Sequence, residues 1–61
     1  MAMENLEQYE QAIAAFDKAL EINPDYYQAW YFRGVALIKL RRFKEGYASA
    51  KNARKLILIF L

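Results

Sequence analysis

Apolar residues recur with helical spacing along most of the 61-residue chain. In the first stretch, from about Leu6 to Ile22, they fall three and four positions apart, which places them on one face of an α-helix. Pro24 disfavours helical geometry at the residue before it, so this helix should end at Asn23. The pattern therefore predicts a first helix over residues 6–22.

A second helix is predicted from Tyr26 to Leu40. Asp25 precedes it, and Gln28 follows three residues later, which is the arrangement of a capping box with Asp25 as the N-cap. Glycine inside a helix costs about 0.5–1 kcal/mol relative to alanine. The small residue Gly34 therefore indicates that another helix crosses closely at this point.

A third helix, antiparallel to the second, is predicted from Phe43 to Phe60. The junction before it contains Arg41 and Arg42, where no glycine, proline, asparagine or aspartate forces a turn. The alternative is one continuous helix from Tyr26 onward, which would need a partner chain to cover its apolar face.

The last six residues are apolar on every side of the helix, so a single buried face cannot accommodate them all. One interpretation is that they cover the open end of a small core, and another is that they form a self-association surface. Membrane contact and a β-prone run are further alternatives. The candidate self-association residues are Leu56, Ile57, Leu58, Ile59, Phe60 and Leu61.

The composition leaves little chemistry for catalysis. There is no histidine and no cysteine, so disulfides are excluded and transition metals lack their usual ligands. Carboxylates, lysines, tyrosines and Ser49 remain, and paired carboxylates such as Asp17 and Glu21 alternate with the apolar stripe and point outward. Since a carboxylate pair needs burial for a useful pKa shift, we predict neither an enzyme nor a cofactor or metal site.

The length allows one domain, residues 1–61, and a chain this short is marginal alone. Without disulfides or metals, the expected support is a neighbouring repeat or a second copy. No stretch approaches the roughly 20 apolar residues of a membrane span. The N-terminus does not resemble a secretory signal, so a cytoplasmic location is the default.

Charge is distributed unevenly along the chain. Residues 1–25 carry six acidic residues and one basic residue, whereas residues 26–61 carry eight basic residues and one acidic residue. The basic half, interleaved with aromatic residues, makes single-stranded nucleic acid an alternative ligand. The acidic half disfavours it, and the asymmetry can equally mean two surfaces that meet each other.

Shifted by 34 residues, the chain maps loosely onto itself, and paired positions keep their apolar character. Tyr9 and Phe16 lie on the first predicted helix, and Pro24 lies in the turn after it. Trp30 and Gly34 follow on the second predicted helix. In these residues the chain resembles the tetratricopeptide repeat, a 34-residue helix–turn–helix unit. The resemblance assigns repeat-packing positions to Tyr9, Ala12, Phe16, Ala19, Pro24, Trp30, Gly34, Leu37, Phe43, Gly46 and Ala53.

The resemblance implies an all-α array of three antiparallel helices. Residues 6–23 would be the second helix of a partial repeat and residues 25–58 one complete repeat, and this start in mid-repeat favours a piece of a longer array. The implied function is protein–protein interaction, with a protein or peptide partner or in a homo-oligomer, including one with exchanged helices. Nucleic acid and membranes are not the expected partners.

In this family the first helix of each repeat lines an inner groove. The resemblance therefore places a candidate peptide-binding face on the second helix. The alternative is that the same residues pack against a neighbouring helix. They are Gln28, Tyr31, Val35, Ile38 and Lys39.

Three departures from the family pattern affect the second repeat. Arg41, like Glu7 before it, occupies a turn position where glycine is common, so a strained or lost turn is expected. Ala50 stands where Phe16 supplies an aromatic ring one repeat earlier, which leaves a gap. Leu58 stands where proline would end the helix, so the last helix should run on.

Four pairs related by the 34-residue shift reverse their charge. We expect these pairs to match the first helix to the third, within or between chains, and to set register more than stability, because exposed pairs contribute only about 0–1 kcal/mol each. The pairs are Glu7 and Arg41, Glu10 and Lys44, Asp17 and Lys51, and Glu21 and Lys55.

Overall fold

The computed structural model describes residues 6–61, which form three α-helices joined by short turns. The helices are α1 (Leu6–Ile22), α2 (Tyr27–Lys39) and α3 (Phe43–Phe60). α2 packs against both of its neighbours, whereas α1 and α3 do not pack against each other. The predicted all-α fold of three helices is confirmed, and the alternative of one continuous helix from Tyr26 is wrong.

The turn between α1 and α2 is organised by Asn23. Its Oδ1 accepts a hydrogen bond from the backbone N–H of Asp25 at 3.1 Å, and its carbonyl accepts one from the N–H of Tyr26 at 3.1 Å. Tyr26 is the N-cap of α2, and no side chain caps the helix. The predicted capping box of Asp25 and Gln28 is therefore wrong, because the asparagine side chain closes the turn locally before the helix begins.

The turn between α2 and α3 contains a residue in the left-handed region, Arg41, with φ 65°. The N–H of Arg42 donates to the carbonyl of Leu37, and the N–H of Arg41 donates to that of Ile38, both at 2.9 Å. These two bonds define a Schellman motif, in which glycine is the usual left-handed residue. The turn is thus retained, with the strain of a Cβ in this conformation.

α2 and α3 cross at two glycines. A Cβ at Gly34 would lie 2.8 Å from the carbonyl oxygen of Gly46, and a Cβ at Gly46 would lie 2.6 Å from Cγ1 of Ile38. Neither distance accommodates a methyl group without movement of the neighbour. The predicted close crossing at Gly34 is confirmed.

A polar link joins the same two helices. The hydroxyl of Ser49 donates to the backbone carbonyl of Trp30 at 2.6 Å, and Ser49 is only 1% exposed. The indole N–H of Trp30 donates in turn to the carbonyl of Pro24 at 2.8 Å. Ser49 is therefore a buried packing residue rather than an accessible nucleophile.

The apolar core between α1 and α2 consists of Ile13, Ala36 and Leu37, with Tyr9 and Leu40 packed against it. The other repeat-packing positions divide by exposure. Gly34, Gly46 and Ala53 are buried, Ala12, Phe16, Ala19 and Trp30 are half-buried, and Pro24 and Phe43 are exposed.

Within one chain, Asp17 and Glu10 of α1 face arginines and not the lysines of α3. Asp17 pairs with Arg33 of α2 at 2.6 Å, and Glu10 lies 3.5 Å from Nη1 of Arg42, the N-cap of α3. The expected matching of α1 to α3 inside the chain is therefore wrong, because α2 separates the two helices. Matching between chains stays a prediction.

Candidate protein-interaction surfaces

An open groove lies on a face of α3 that α2 leaves uncovered. It has a volume of about 390 Å³ and is lined by Tyr47, Ala50, Lys51 and Arg54, which we call the α3 groove. Tyr47 is 63% exposed, the two basic residues are exposed, and Ala50 is half-buried. The groove therefore combines aromatic surface with two positive charges.

Each residue of the α3 groove has a counterpart in α1, 34 positions earlier. The counterparts are Ile13, Phe16, Asp17 and Leu20. On α1 this face is covered by α2, so that Ile13 is only 6% exposed. The Phe16 ring stacks against Phe32 of α2 with the ring centroids 6.3 Å apart. The α3 groove is thus the uncovered equivalent of the face with which α1 binds α2.

The contact between α1 and α2 also has an electrostatic part. Nε of Arg33 donates to Oδ1 of Asp17 at 2.6 Å, and the Arg33 guanidinium lies 5.9 Å from the ring centroid of Trp30, within the range of a cation–π interaction. Arg33 is therefore engaged both by a carboxylate of α1 and by an aromatic ring of its own helix. The counterpart of Asp17 on α3 is Lys51, so the same position carries the opposite charge.

The gap predicted at Ala50 opens into the α3 groove. Its counterpart Phe16 fills the equivalent site on α1 with an aromatic ring, whereas the alanine side chain ends at Cβ. Phe43 and Tyr47 lie near this gap along α3 and stack on each other with ring centroids 6.4 Å apart. Both are exposed, because nothing in the described part of the chain covers this side of α3.

The candidate peptide-binding face of α2 is only partly open. Gln28, Tyr31, Val35 and Lys39 are exposed, but Ile38 is half-buried. Its Cγ1 lies against Gly46 of α3. Ile38 therefore takes part in the helix crossing and does not extend the exposed apolar strip.

A concavity of about 240 Å³ adjoins this face of α2. Tyr27 and Phe32 line it; the sequence analysis had not assigned them to a site, and their signal was the concentration of aromatic residues in the first half of α2. Tyr31 and Phe32 meet edge to face there, with ring centroids 5.4 Å apart. The lining residues are Tyr27, Gln28, Tyr31, Phe32 and Ile57.

The residues of the C-terminal tail differ in their exposure. Leu56 is half-buried and lines a concavity of about 290 Å³ beside Trp30 and Pro24. The four residues from Leu58 to Leu61 are between 64% and 91% exposed. We call these four residues the tail surface. α3 continues to Phe60, as the absence of proline at Leu58 predicts.

The start of α3 carries an ion pair that alters two pKa values. Nε and Nη2 of Arg42 donate to the two carboxylate oxygens of Glu45 at 2.8 and 3.0 Å. This hydrogen bonding lowers the pKa of Glu45 and raises that of Arg42. Arg33 and Arg42 both have carboxylate partners, so part of the basic cluster that suggested nucleic acid is neutralised.

Neither a membrane-spanning helix nor a metal-binding cluster is found among residues 6–61. None of the three helices is long and apolar enough to cross a membrane. No three acidic side chains in this part of the chain lie close enough together to hold a metal ion.

Sequence comparisons agree with the helical architecture. The family model described as TPR repeat matches residues 5–40. A 37-residue segment, 61% of the chain, is 43% identical to an uncharacterized protein of Methanocaldococcus jannaschii and covers 43% of that protein, so the match spans less than half of the relative. No solved structure matches significantly. With three antiparallel helices and a family match over more than half of its length, the chain belongs to the tetratricopeptide-repeat family.

Proposed function

We propose that this protein is a non-catalytic protein–protein interaction module that self-associates through its tail surface. Tetratricopeptide repeats generally mediate protein–protein interaction. The observation that carries the proposal of self-association is the tail surface itself, in which Leu58, Ile59, Phe60 and Leu61 are 64–91% exposed. In this proposal residues 25–58 are the one complete repeat, and the tail surface lies at the C-terminal end of α3.

The physical reason is the cost of leaving consecutive apolar residues in water. Burial of apolar surface contributes roughly 25 cal/mol per Å², and one helix face cannot bury side chains that point in all directions. A second copy presents the same surface, as a two-fold symmetric contact requires. Association would also supply the additional burial that a chain of 61 residues lacks.

Solution mass by light scattering tests the proposal. We expect a dimer or larger assembly for the unchanged chain and a monomer for the triple variant Ile59→Ser, Phe60→Ser, Leu61→Ser, with helical circular dichroism in both. Leu6→Ser is the matched control, because Leu6 is also exposed, at 57%, but lies at the start of α1. A monomeric unchanged chain, or a triple variant that keeps the mass of the assembly, would contradict self-association through the tail.

A second candidate function is the binding of an amphipathic helix or extended peptide on α2. It is supported by the aromatic concavity at Tyr27, Tyr31 and Phe32, which adjoins the exposed side chains of Gln28 and Val35. Amide NMR spectra recorded with a leucine–lysine model helix test it. Shifts confined to residues 27–35 support this role, and unchanged spectra at millimolar peptide contradict it.

The alternative of single-stranded nucleic acid or a membrane surface has its own tests. Binding to an oligonucleotide that weakens steeply with salt would favour a nucleic-acid role. Co-sedimentation with anionic vesicles, abolished in the triple tail variant, would favour a membrane role. We do not expect the nucleic-acid role, because Arg33 and Arg42 are engaged by carboxylates.

A further inference from the structure

We infer that the concavity beside Trp30 binds a carboxylate attached to an apolar body, with the carboxylate at Lys55 and Asn52 and the apolar part against Trp30 and Leu56. The concavity has a volume of about 290 Å³, and we call it the Trp30 site. Binding there goes beyond protein–protein interaction and does not require self-association, although Ile59 belongs to both this site and the tail surface. The residues that line the site are Pro24, Trp30, Asn52, Lys55, Leu56 and Ile59.

Three parts of the chain enclose the Trp30 site. Pro24 comes from the turn between α1 and α2, Trp30 from α2, and the other four residues from the C-terminal half of α3. Asn52 and Arg54 are two positions apart on α3, which is about 200° around the helix axis. The site therefore lies on nearly the opposite side of α3 from the α3 groove, and a helix packed on that groove would leave it open.

The apolar wall of the site is held in place before any ligand arrives. The indole N–H of Trp30 donates to the carbonyl of Pro24 at 2.8 Å, which fixes the ring relative to the turn. Trp30 and Leu56 are both half-buried. Because these side chains are already ordered, binding costs less conformational entropy than it would on a flexible surface.

Two polar side chains lie among the apolar ones. Asn52 is half-buried and Lys55 is exposed, and neither side chain has a hydrogen-bond or ion-pair partner among residues 6–61. The amide NH₂ group and the ammonium group both donate hydrogen bonds, and a carboxylate accepts two or more. Lys55 is the one charged residue in the lining, so a carboxylate placed there meets a positive charge and no lining carboxylate.

The size and charge of the site define the class of ligand. Its volume is at the lower end of the roughly 300–1,000 Å³ of ligand pockets, so the ligand is small. A carboxylate carries one negative charge, which matches the single lysine, whereas a phosphate group carries about 1.5 to 2. A free apolar acid and the C-terminal residue of a peptide share the required chemistry.

N-acetyl-leucine is the probe, and Trp30 is the reporter. The chain has one tryptophan, so its indole N–H gives a single signal in a heteronuclear NMR spectrum. We expect N-acetyl-leucine to shift this signal in a saturable manner at millimolar concentration. N-acetyl-leucinamide, which lacks the charge, and N-acetylglycine, which lacks the apolar side chain, should each bind about threefold to tenfold more weakly.

Substitutions on α3 test the role of the ammonium group. Lys55→Gln should weaken the binding of N-acetyl-leucine about threefold to tenfold, whereas Lys55→Arg should retain it within about twofold, since a guanidinium also pairs with a carboxylate. Lys51→Gln is the matched control, because it removes the same charge one helical turn away, from a residue that lines the α3 groove. It should change the affinity less than about twofold. Both lysines are exposed, and circular dichroism verifies that the variants fold.

An indole signal that stays unmoved at roughly 10 mM N-acetyl-leucine, or equal binding of the acid and its amide, would overturn the inference. Equal losses of affinity in Lys55→Gln and Lys51→Gln would overturn it too, by indicating a general attraction of anions to a basic helix. A peptide that ends in leucine distinguishes the two sources of the carboxylate. Tighter binding than N-acetyl-leucine assigns the site to a peptide terminus, and equal or weaker binding assigns it to a free acid.

Discussion

Gly34 and Gly46 face each other across the α2–α3 crossing so closely that the carbonyl oxygen of one occupies the space where the other would carry a Cβ. The hypothetical Cβ of Gly34 lies 2.8 Å from the Gly46 oxygen and 3.1 Å from the backbone nitrogen of Ala50. These obstacles are backbone atoms and cannot rotate away. The absence of a side chain at Gly34 is therefore what lets the two helices approach.

Gly34→Ala should destabilise the fold by about 1–3 kcal/mol, even though alanine has the higher helix propensity, because overpacking at a rigid contact exceeds that gain. Gly46→Ala should cost less, since its nearest obstacle is the side-chain atom Cγ1 of Ile38, which can change rotamer. Urea denaturation of both variants measures the difference. A Gly34→Ala variant as stable as the unchanged chain would show that the helices can separate at no cost.

Arg41→Gly should stabilise the protein by about 0.5–1 kcal/mol. Arg41 is held at φ 65°, which costs an L-residue about 1–2 kcal/mol, and glycine removes that strain at some expense of chain entropy. The denaturation midpoint is the measurement. Lys44→Gly, inside α3, is the control and should lower stability by about 1 kcal/mol; a loss of stability in both variants would mean that the Arg41 side chain outweighs its backbone strain.

The Asp17–Arg33 pair should contribute a coupling free energy of about 0.5–1 kcal/mol to folding, because Asp17 is more than half exposed and solvent screens the attraction. A double-mutant cycle with Asp17→Asn and Arg33→Gln measures it. The coupling should shrink in 1 M salt. Additive effects of the two substitutions would show that the 2.6 Å contact adds no net stability in solution.

The stability contributed by Glu45 should depend on pH at the acidic end. The hydrogen bonds from Arg42 lower the pKa of Glu45 in the folded state below its ordinary value of 4.5. This contribution is therefore fully present above pH 4.5 and is lost as the pH falls through the lower, folded-state pKa.

Melting temperatures recorded from pH 6 down to pH 2.5 compare the unchanged chain with Glu45→Gln. The variant should lose stability near neutral pH and show a shallower decline on acidification. Glu21→Gln, which removes an exposed carboxylate from α1, controls for the change in net charge. Parallel curves for the unchanged chain and Glu45→Gln would contradict a folded-state role for the Arg42–Glu45 pair.

The bounds of the helices could be predicted because they depend on local properties of the chain. The spacing of apolar residues and Pro24 determine where α1 ends, and the bounds predicted for α1 and α3 agree with the structure. The prediction that Asp25 is the N-cap of α2 was wrong. Asparagine and aspartate both commonly accept backbone hydrogen bonds in turns, and in this turn the Asn23 side chain is the one that does so. The turn at Arg41 forms despite its unfavourable residue, because packing of α3 on α2 compensates for the strain.

The candidate surfaces also divide into features that the sequence predicts and features that only the fold decides. Exposure of the tail follows from an apolar run that no single face can bury, so the sequence alone indicated it. Ile38 was assigned to the peptide face by position, yet the glycine crossing draws it against α3. The pairing of Arg33 with Asp17 joins residues 16 positions apart, which no local pattern reveals.

By itself, the sequence determined the helical class, the 34-residue repeat and the close approach at Gly34, because periodicity, proline and glycine act through short-range sterics. Only the tertiary structure decided which faces stay uncovered. That depends on α2 lying between α1 and α3, covering Ile13 and leaving Tyr47 open at the equivalent position of the next repeat. Whether a side chain is buried depends on the helix packed against it as well as on the residue itself, and the position of that helix is known only from the tertiary structure.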